Sequence, residues 1–334
     1  MKKCCFIIPY FGKLPNYFQQ FLNSCKYNPD YNWLLFTDDN TKFDFPVNVQ
    51  KVSMTFSQLK SLFQDKFDFP IELSKPYKLC DYKPAYGYIF QDYLNGYMFW
   101  GHCDIDLIFG NISHFITDDM LTNYDKLFCL GHLVLYKNTI ENNRVFMSDY
   151  HGVQLYKKVF CCPEIMVFDE ELRNFNNVNQ IFLKEGKKVF MKDYSMNLYI
   201  FAKQFIRILF VGLAHGYRNA YMLEVPKKAV YIWQRGILFR LLLEGKDIVK
   251  EEYLYIHLQK RRMKINSHNT NSDILQIMPN AFRKLNSIPY NFDEFQKIKK
   301  ESICFHKARL SYDRYLRRIQ NKLHRFFKYL QWKN

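Results

Sequence analysis

Asp104 and Asp106 stand two residues apart in "FWGHCDIDLIFG", residues 99–110, with apolar residues on either side. Carboxylates in apolar surroundings are costly unless something compensates them. On a strand, side chains at i and i+2 point the same way, and a turn that follows can bring both to one cation. Mg²⁺ and Mn²⁺ take oxygen ligands, typically one or two carboxylates plus substrate phosphates. The spacing therefore points to Mn²⁺ or Mg²⁺ as the compensating charge. A strand-ending turn with two solvated aspartates is the alternative.

The elements that would position this pair read as alternating strands and helices. "CCFIIPY" is an apolar run cut by Pro9, as for a buried strand. In "LPNYFQQFLNSCKYNPD", Phe18, Phe21, Leu22 and Cys25 recur at helical spacing. "NWLLFTDDN" is a second strand and "VNVQKVS" a third, and "FSQLKSLFQDKF" is a second helical pattern. Pro84 suits the first position of a helix over "PAYGYIFQDYL", with Tyr86, Ile89, Phe90 and Tyr93 on one face. "YMFWGHCDID" is the next strand. This order predicts an α/β fold: a Rossmann-type, mostly parallel sheet with helices on both faces. Ligands bind such sheets at the carboxyl ends of strands, where Asp38, Asp39, Asp104 and Asp106 fall. Further on, "KLFCLGHLVLY", "PEIMVFDEE" and "EEYLYIHLQKRR" read as strands. "VNQIFLKEG" reads as a helix closed by Gly186, and "AVYIWQRGILFRLLLEG" as two strands joined near Arg235 and Gly236.

The chain has 334 residues, of which 48% are hydrophobic, enough for one large domain or two joined ones. Its net charge of +16 calls for an anionic partner. Residues 301–334 carry nine Lys or Arg against Glu301 and Asp313. The nine cysteines form no C-x-x-C pair, which argues against a zinc ribbon or redox motif. "MKKCCFIIPYFG" is too short an apolar run for a secretory leader, and no stretch approaches the ~20 apolar residues of a membrane span. A cytoplasmic protein with free thiols is expected.

The set of motifs resembles the GT-A glycosyltransferases, whose D-x-D motif holds Mn²⁺ or Mg²⁺ against a nucleotide-sugar diphosphate. "FIIPYFG" looks like the first strand and nucleotide-binding loop of that fold, "WLLFTDDN" like its second strand. "KLCDYKPAYGYIFQDYLNGYMFWGHCDID" resembles the segment in which an Asp and a basic residue open the helix leading to the D-x-D strand. The closest likeness is to transferases of bacterial surface-polysaccharide clusters, capsular or lipopolysaccharide. It covers residues 4–110 well and 126–265 loosely. The resemblance implies donor contacts from Pro9, Tyr10, Phe11, Thr37, Asp38, Asp81, Lys83 and Asp104. It implies a late histidine as third metal ligand, His257 in "YLYIHLQKRRMK", with Lys260, Arg261, Arg262 and Lys264 against the leaving diphosphate. His132 would face a sugar hydroxyl, or pack in the core. His102, just before the pair, is left out of the site.

The implied reaction is hexosyl transfer from a nucleotide-sugar, UDP on the resemblance, to a surface glycan or lipid-linked acceptor. Residues 1–110 would form the nucleotide half and 111–265 the acceptor half. An inverting reaction needs a carboxylate to take the acceptor's proton. Glu164, Asp169, Glu170, Glu171 and Asp193 are available. Asp169 and Glu170 in "VFDEE" are favoured, and the sequence does not decide between them. A retaining reaction needs no such base. Residues 266–334 read as a basic helical extension. In "FHKARLSYDRYLRRIQNKLHRFFKYLQW" Leu310, Tyr315 (or Leu316), Ile319, Leu323, Phe326, Phe327 and Leu330 lie near one stripe suited to an anionic inner-membrane surface, the alternative being a terminal helix that packs this stripe on the domain.

Two other readings compete. A haloacid-dehalogenase-like phosphohydrolase also uses D-x-D, but there it opens the domain and is followed by Thr, where this chain has Leu107. A basic nucleic-acid-binding protein lacks its motifs here, and no nucleic-acid partner is expected.

Overall fold

The computed structural model describes residues 2–171, 176–200, 204–213, 220–265 and 272–299, with 308, 309, 311, 312 and 315. Along the chain the strands are β1 (Lys2–Pro9), β2 (Tyr31–Thr37), β3 (Val49–Ser53), β4 (Tyr97–Cys103), β5 (Leu107–Phe109), β6 (Lys126–Leu127) and β7 (Leu133–Lys137). They continue with β8 (Val189–Phe190), β9 (Ser195–Asn197), β10 (Ile208–Phe210), β11 (Tyr221–Leu223), β12 (Ala229–Gln234) and β13 (Ile237–Glu244). The last are β14 (Asp247–Glu252), β15 (Tyr255–His257), β16 (Ile274–Met278) and β17 (Ala281–Lys284).

Seven strands form the central sheet in the order β3-β2-β1-β4-β7-β6-β8. β1 pairs in parallel with β2 and with β4, and β2 with β3, whereas β7 runs antiparallel to β4 and β6. Side chains alternate across β1. Phe6 and Ile8 join the core under helix α1 (Phe18–Lys26), while Cys5 and Ile7 join the core under helix α2 (Phe56–Gln64). Helices therefore cover both faces, which explains why β1 and β2 are apolar throughout rather than alternating. The chain leaves β1 for β2 on one side and β4 lies on the other, so a crevice opens between the carboxyl ends of β1 and β4.

The remaining strands make three smaller sheets. β15 lies between β5, antiparallel, and β9, parallel. β10 and β11 form a two-stranded ribbon. β14-β13-β12-β16-β17 form an antiparallel sheet of five. Its β12–β13 hairpin turns on Arg235 and Gly236, both at positive φ (43° and 82°), as a two-residue turn of this twist requires.

Three expectations change. The helix expected to start at Pro84 is a broken series of short helical turns from Pro76 to Tyr93, because proline removes a donor and clashes with the preceding turn. "PEIMVFDEE" is not a strand: its backbone is irregular, with Val167 at φ 57°. Residues 272–299, expected as helical extension, supply β16 and β17, and only Phe292–Lys297 there is helical. Most of the expected tail helix lies outside the described residues. All eight described cysteines are free thiols.

Candidate metal and active site

β4 ends at Cys103 and β5 begins at Leu107, so Asp104 and Asp106 occupy the turn between two strands. Backbone bonds fix that turn: Asp104 N–H donates to the His132 carbonyl (3.0 Å), and Leu258 N–H donates to the Asp106 carbonyl (2.9 Å). His257 stands opposite Leu107 in the β5–β15 pairing, which carries its ring to the same place. Its Nε2 lies 3.2 Å from Asp106 Oδ1 and 3.8 Å from Asp104 Oδ2. The three residues offer ligand atoms all within 4.8 Å of one another.

The surroundings of this trio fit a cation. His257 Nδ1 lies 3.1 Å from Asn197 Oδ1, an oxygen that only accepts, so Nδ1 carries the proton and Nε2 faces the carboxylates. Gln259 Nε2 donates to the same oxygen at 3.0 Å and so fixes the Asn197 amide. Such outer partners are what orient a metal-binding imidazole. Asp106 Oδ2 accepts from Lys260 N–H at 2.8 Å, made possible by Gln259 and Lys260 both adopting positive φ (56° and 58°). Burial raises the Asp106 pKa, but His257 and the Lys260 amide outweigh it and hold the carboxyl well below its usual range. Burial lowers His257, but Asp106 outweighs it and the imidazole is raised. Asp104 keeps a side-chain exposure of 36%, so the cluster is open on that side. Two carboxylates and one imidazole suit Mn²⁺ or a similar borderline cation.

Lys83 joins this cluster to the acidic pair. Its Nζ lies 2.9 Å from Asp104 Oδ1, 3.3 Å from Asp169 Oδ2 and 2.7 Å from the Gly131 carbonyl. Burial opposes its charge, yet the two aspartates raise its pKa well above the ordinary value. Burial pushes the Asp169 carboxyl up to about 7 against the pull of Lys83, and Glu170 is raised by burial as well. A β-carbon on Gly131 would stand 2.6 Å from Asp169 Oδ2, so glycine is what lets the pair approach the sheet.

The other expected residues divide. Pro9 and Tyr10 end β1 at the crevice, and Tyr10 lies close enough to Asp106 for its phenol to be raised by that charge as well as by burial. Asp38 and Asp39 clamp the loop beyond: Asp38 accepts from Gly12 N–H (2.9 Å) and Asp39 from Leu14 N–H (2.7 Å). Lys260 Nζ sits over the Tyr77 ring at the rim, 4.5 Å from its centroid. Phe11 is buried against Phe56, and Thr37 is buried with its hydroxyl on the Asp39 amide. Asp81 is wholly buried. It pairs with Lys78 (2.7 Å) and accepts from the amides of Met166 (2.9 Å) and Phe168 (3.0 Å), so it holds the segment carrying Asp169.

His132 packs beneath His257, ring centroids 4.6 Å apart, with Nδ1 bonded to the Tyr255 hydroxyl at 2.6 Å. His102 is wholly buried, with the Tyr86 and Tyr136 rings as neighbours. Glu171 is buried and taken by Asn177 and Gln180, Glu164 is exposed, and Asp193 lines a separate cleft. Asn197, Gln259, Tyr255 and Gly131 are the site residues that sequence reasoning missed. Gly131, a glycine inside an apolar strand run, is the one that carried a signal.

Among the described residues no helix is long and apolar enough to cross a membrane. No curated protein matches the chain. Among solved structures it is similar to the galactosyltransferase LgtC in complex with donor and acceptor sugar analogs. The identity is 11% and the TM-score 0.31, over 58% of this chain and 75% of that one. An active-site mutant of LgtC matches at 11% identity and TM-score 0.32, over 58% and 74%. The signature of a family of unknown function matches residues 6–286, most of the chain, and the chain belongs to that family, DUF6625.

Proposed function

We propose that this protein is a metal-dependent glycosyltransferase of the GT-A kind. It moves a hexose from a nucleotide-sugar, a UDP-sugar first, to a growing bacterial surface glycan or lipid-linked acceptor. One observation carries the reading. Asp104, Asp106 and His257 converge at the strand-end crevice, and Lys83 ties them to Asp169.

A divalent cation held by those three would supply positive charge for the leaving diphosphate. The chain's own groups do the rest. Tyr10 and the loop pinned by Asp38 and Asp39 form the wall against which a nucleotide would lie. Lys260, at the rim, adds positive charge over the diphosphate position. Lys83 holds Asp104 and Asp169 in fixed relation. In an inverting transfer Asp169 takes the acceptor hydroxyl's proton, and its pKa of about 7 is matched to that task.

A donor screen tests this. Purified protein is incubated with UDP-, GDP- and CMP-sugars, with and without Mn²⁺, and nucleotide release is measured. Release from one donor class that requires Mn²⁺ is expected. Release from simple phosphoesters, with none from any nucleotide-sugar, would favour a phosphohydrolase instead.

A further inference from the structure

The donor reading leaves a second cleft unused. Its volume is about 440 Å³, and Met191, Lys192, Asp193, Arg207, Leu209 and Phe210 line it. That is the size range of small-molecule sites. Tyr255 links the cleft to the cluster: it feels the charges of both Asp193 and Asp104, and its hydroxyl bonds His132, whose ring lies on His257. Arg207 reaches across to the Ser195 carbonyl (2.9 Å) on β9, the strand that also carries Asn197.

The lining has a definite chemistry. Asp193 is buried to a side-chain exposure of 7%, with Oδ1 bonded to the Ser195 amide (2.8 Å) and Oδ2 4.0 Å from Arg207. The guanidinium also packs over the Tyr253 ring, 5.0 Å from its centroid. A carboxylate and a guanidinium side by side offer both acceptors and donors in fixed planes. Leu209, Phe210 and Met191 add apolar and aromatic surface. A sugar ring presents the same combination, hydroxyls at its edge and C–H groups on its face. Asp193 sits against Arg207, and Lys192 packs over the Tyr194 ring, 5.1 Å from its centroid.

We propose that this cleft is the acceptor subsite and takes a neutral pyranose unit, with Asp193 and Arg207 on its hydroxyls and Phe210 against its face. The inference rests on the glycosyltransferase reading, since it places the acceptor beside Asp169 and the metal cluster. Tyr221, on the ribbon strand paired with β10, feels the charges of both Glu170 and Asp193, in keeping with that nearness.

Saturation-transfer NMR on the full chain tests it without donor or metal. The probes are the methyl pyranosides of glucose, galactose and N-acetylglucosamine, with methyl glucuronide and inorganic phosphate as anions. At least one neutral pyranoside should bind. Phe210→Ala and Arg207→Gln should each weaken it about tenfold, the equivalent of roughly 1.4 kcal/mol. Near-ultraviolet circular dichroism should show both variants folded as the wild type. Tight binding by the anions alone, absence of binding by any neutral pyranoside, or unchanged binding in both folded variants would overturn the proposal. Donor-linked nucleotide release without pyranoside binding would sink this inference alone. Pyranoside binding without any nucleotide release would sink the transferase reading instead.

Discussion

Asn197 does not face the two carboxylates, yet it decides which nitrogen of His257 does. Its amide oxygen accepts from Nδ1–H and is itself held by Gln259. Partners of this kind are worth roughly 10–100-fold in metal affinity. Asn197→Ala should therefore weaken Mn²⁺ binding by about that factor while the melting curve stays near wild type. Asp169 gives a prediction in pH. Its folded pKa of about 7 lies above the ordinary carboxyl value of 3.8, so the base form is present only above that point. Transfer should rise as pH increases through about 7 and then level. Asp169→Asn should lose about 10²–10⁴-fold in rate, together with that limb of the profile. The same shift has a stability sign. Between about pH 4 and 7 the folded state holds a proton that the unfolded state has lost, so this group's contribution falls as pH rises through that window. The aspartate pair was legible in the sequence because i, i+2 spacing in an apolar run is a local pattern. Asn197 was not, because it meets His257 only through strands 60 residues apart.

At the scale of elements, the irregular segment before Asp169 is built on a buried ion pair. Lys78 and Asp81 lie one turn apart. Asp81 takes the amides of Met166 and Phe168, and Lys78 takes the carbonyls of Val159 (3.0 Å) and Glu164 (2.7 Å). Asp81→Ala would leave a buried ammonium without its counter-charge, which costs about 3–5 kcal/mol. Urea unfolding should show that loss. The Mn²⁺ affinity of the folded fraction should be kept, since none of the three ligand side chains hydrogen-bonds Asp81. An Asp81→Ala protein as stable as wild type would contradict this role. The parallel strands were readable because their apolar runs and breaks are periodic. The role of Asp81 was not readable. An acid opening a helix looks the same whether it faces a ligand or saturates a loop's amides, and a segment without regular backbone has no period to announce it.

Over the whole molecule, a sheet of mixed direction is assembled so that one crevice receives groups from both halves. Asp104 comes from the first, His257 and Lys260 from the second. The five-stranded antiparallel sheet buttresses this arrangement: Trp233 donates to the Phe109 carbonyl at 2.9 Å, just past the aspartate turn. The β12–β13 hairpin was legible from its turn residues, whereas β16 and β17 were masked by the basic character of the region around them. The charge of +16 is also a property of the whole chain, and residues 301–334 concentrate it. If those residues dock the chain on anionic lipid, each Lys or Arg near the surface contributes about 1 kcal/mol. The full chain should then float with anionic vesicles at low salt and a chain truncated after residue 303 should not. Equal behaviour of the two would assign the tail another role. The central claim, that the crevice is a cation site built from both halves, is tested most directly by calorimetric titration of Mn²⁺ into wild type, Asp106→Ala and His257→Ala. The account predicts one site per chain in the wild type and its loss in both variants with the fold retained. Equal Mn²⁺ binding by all three proteins, or none by the wild type, would contradict it.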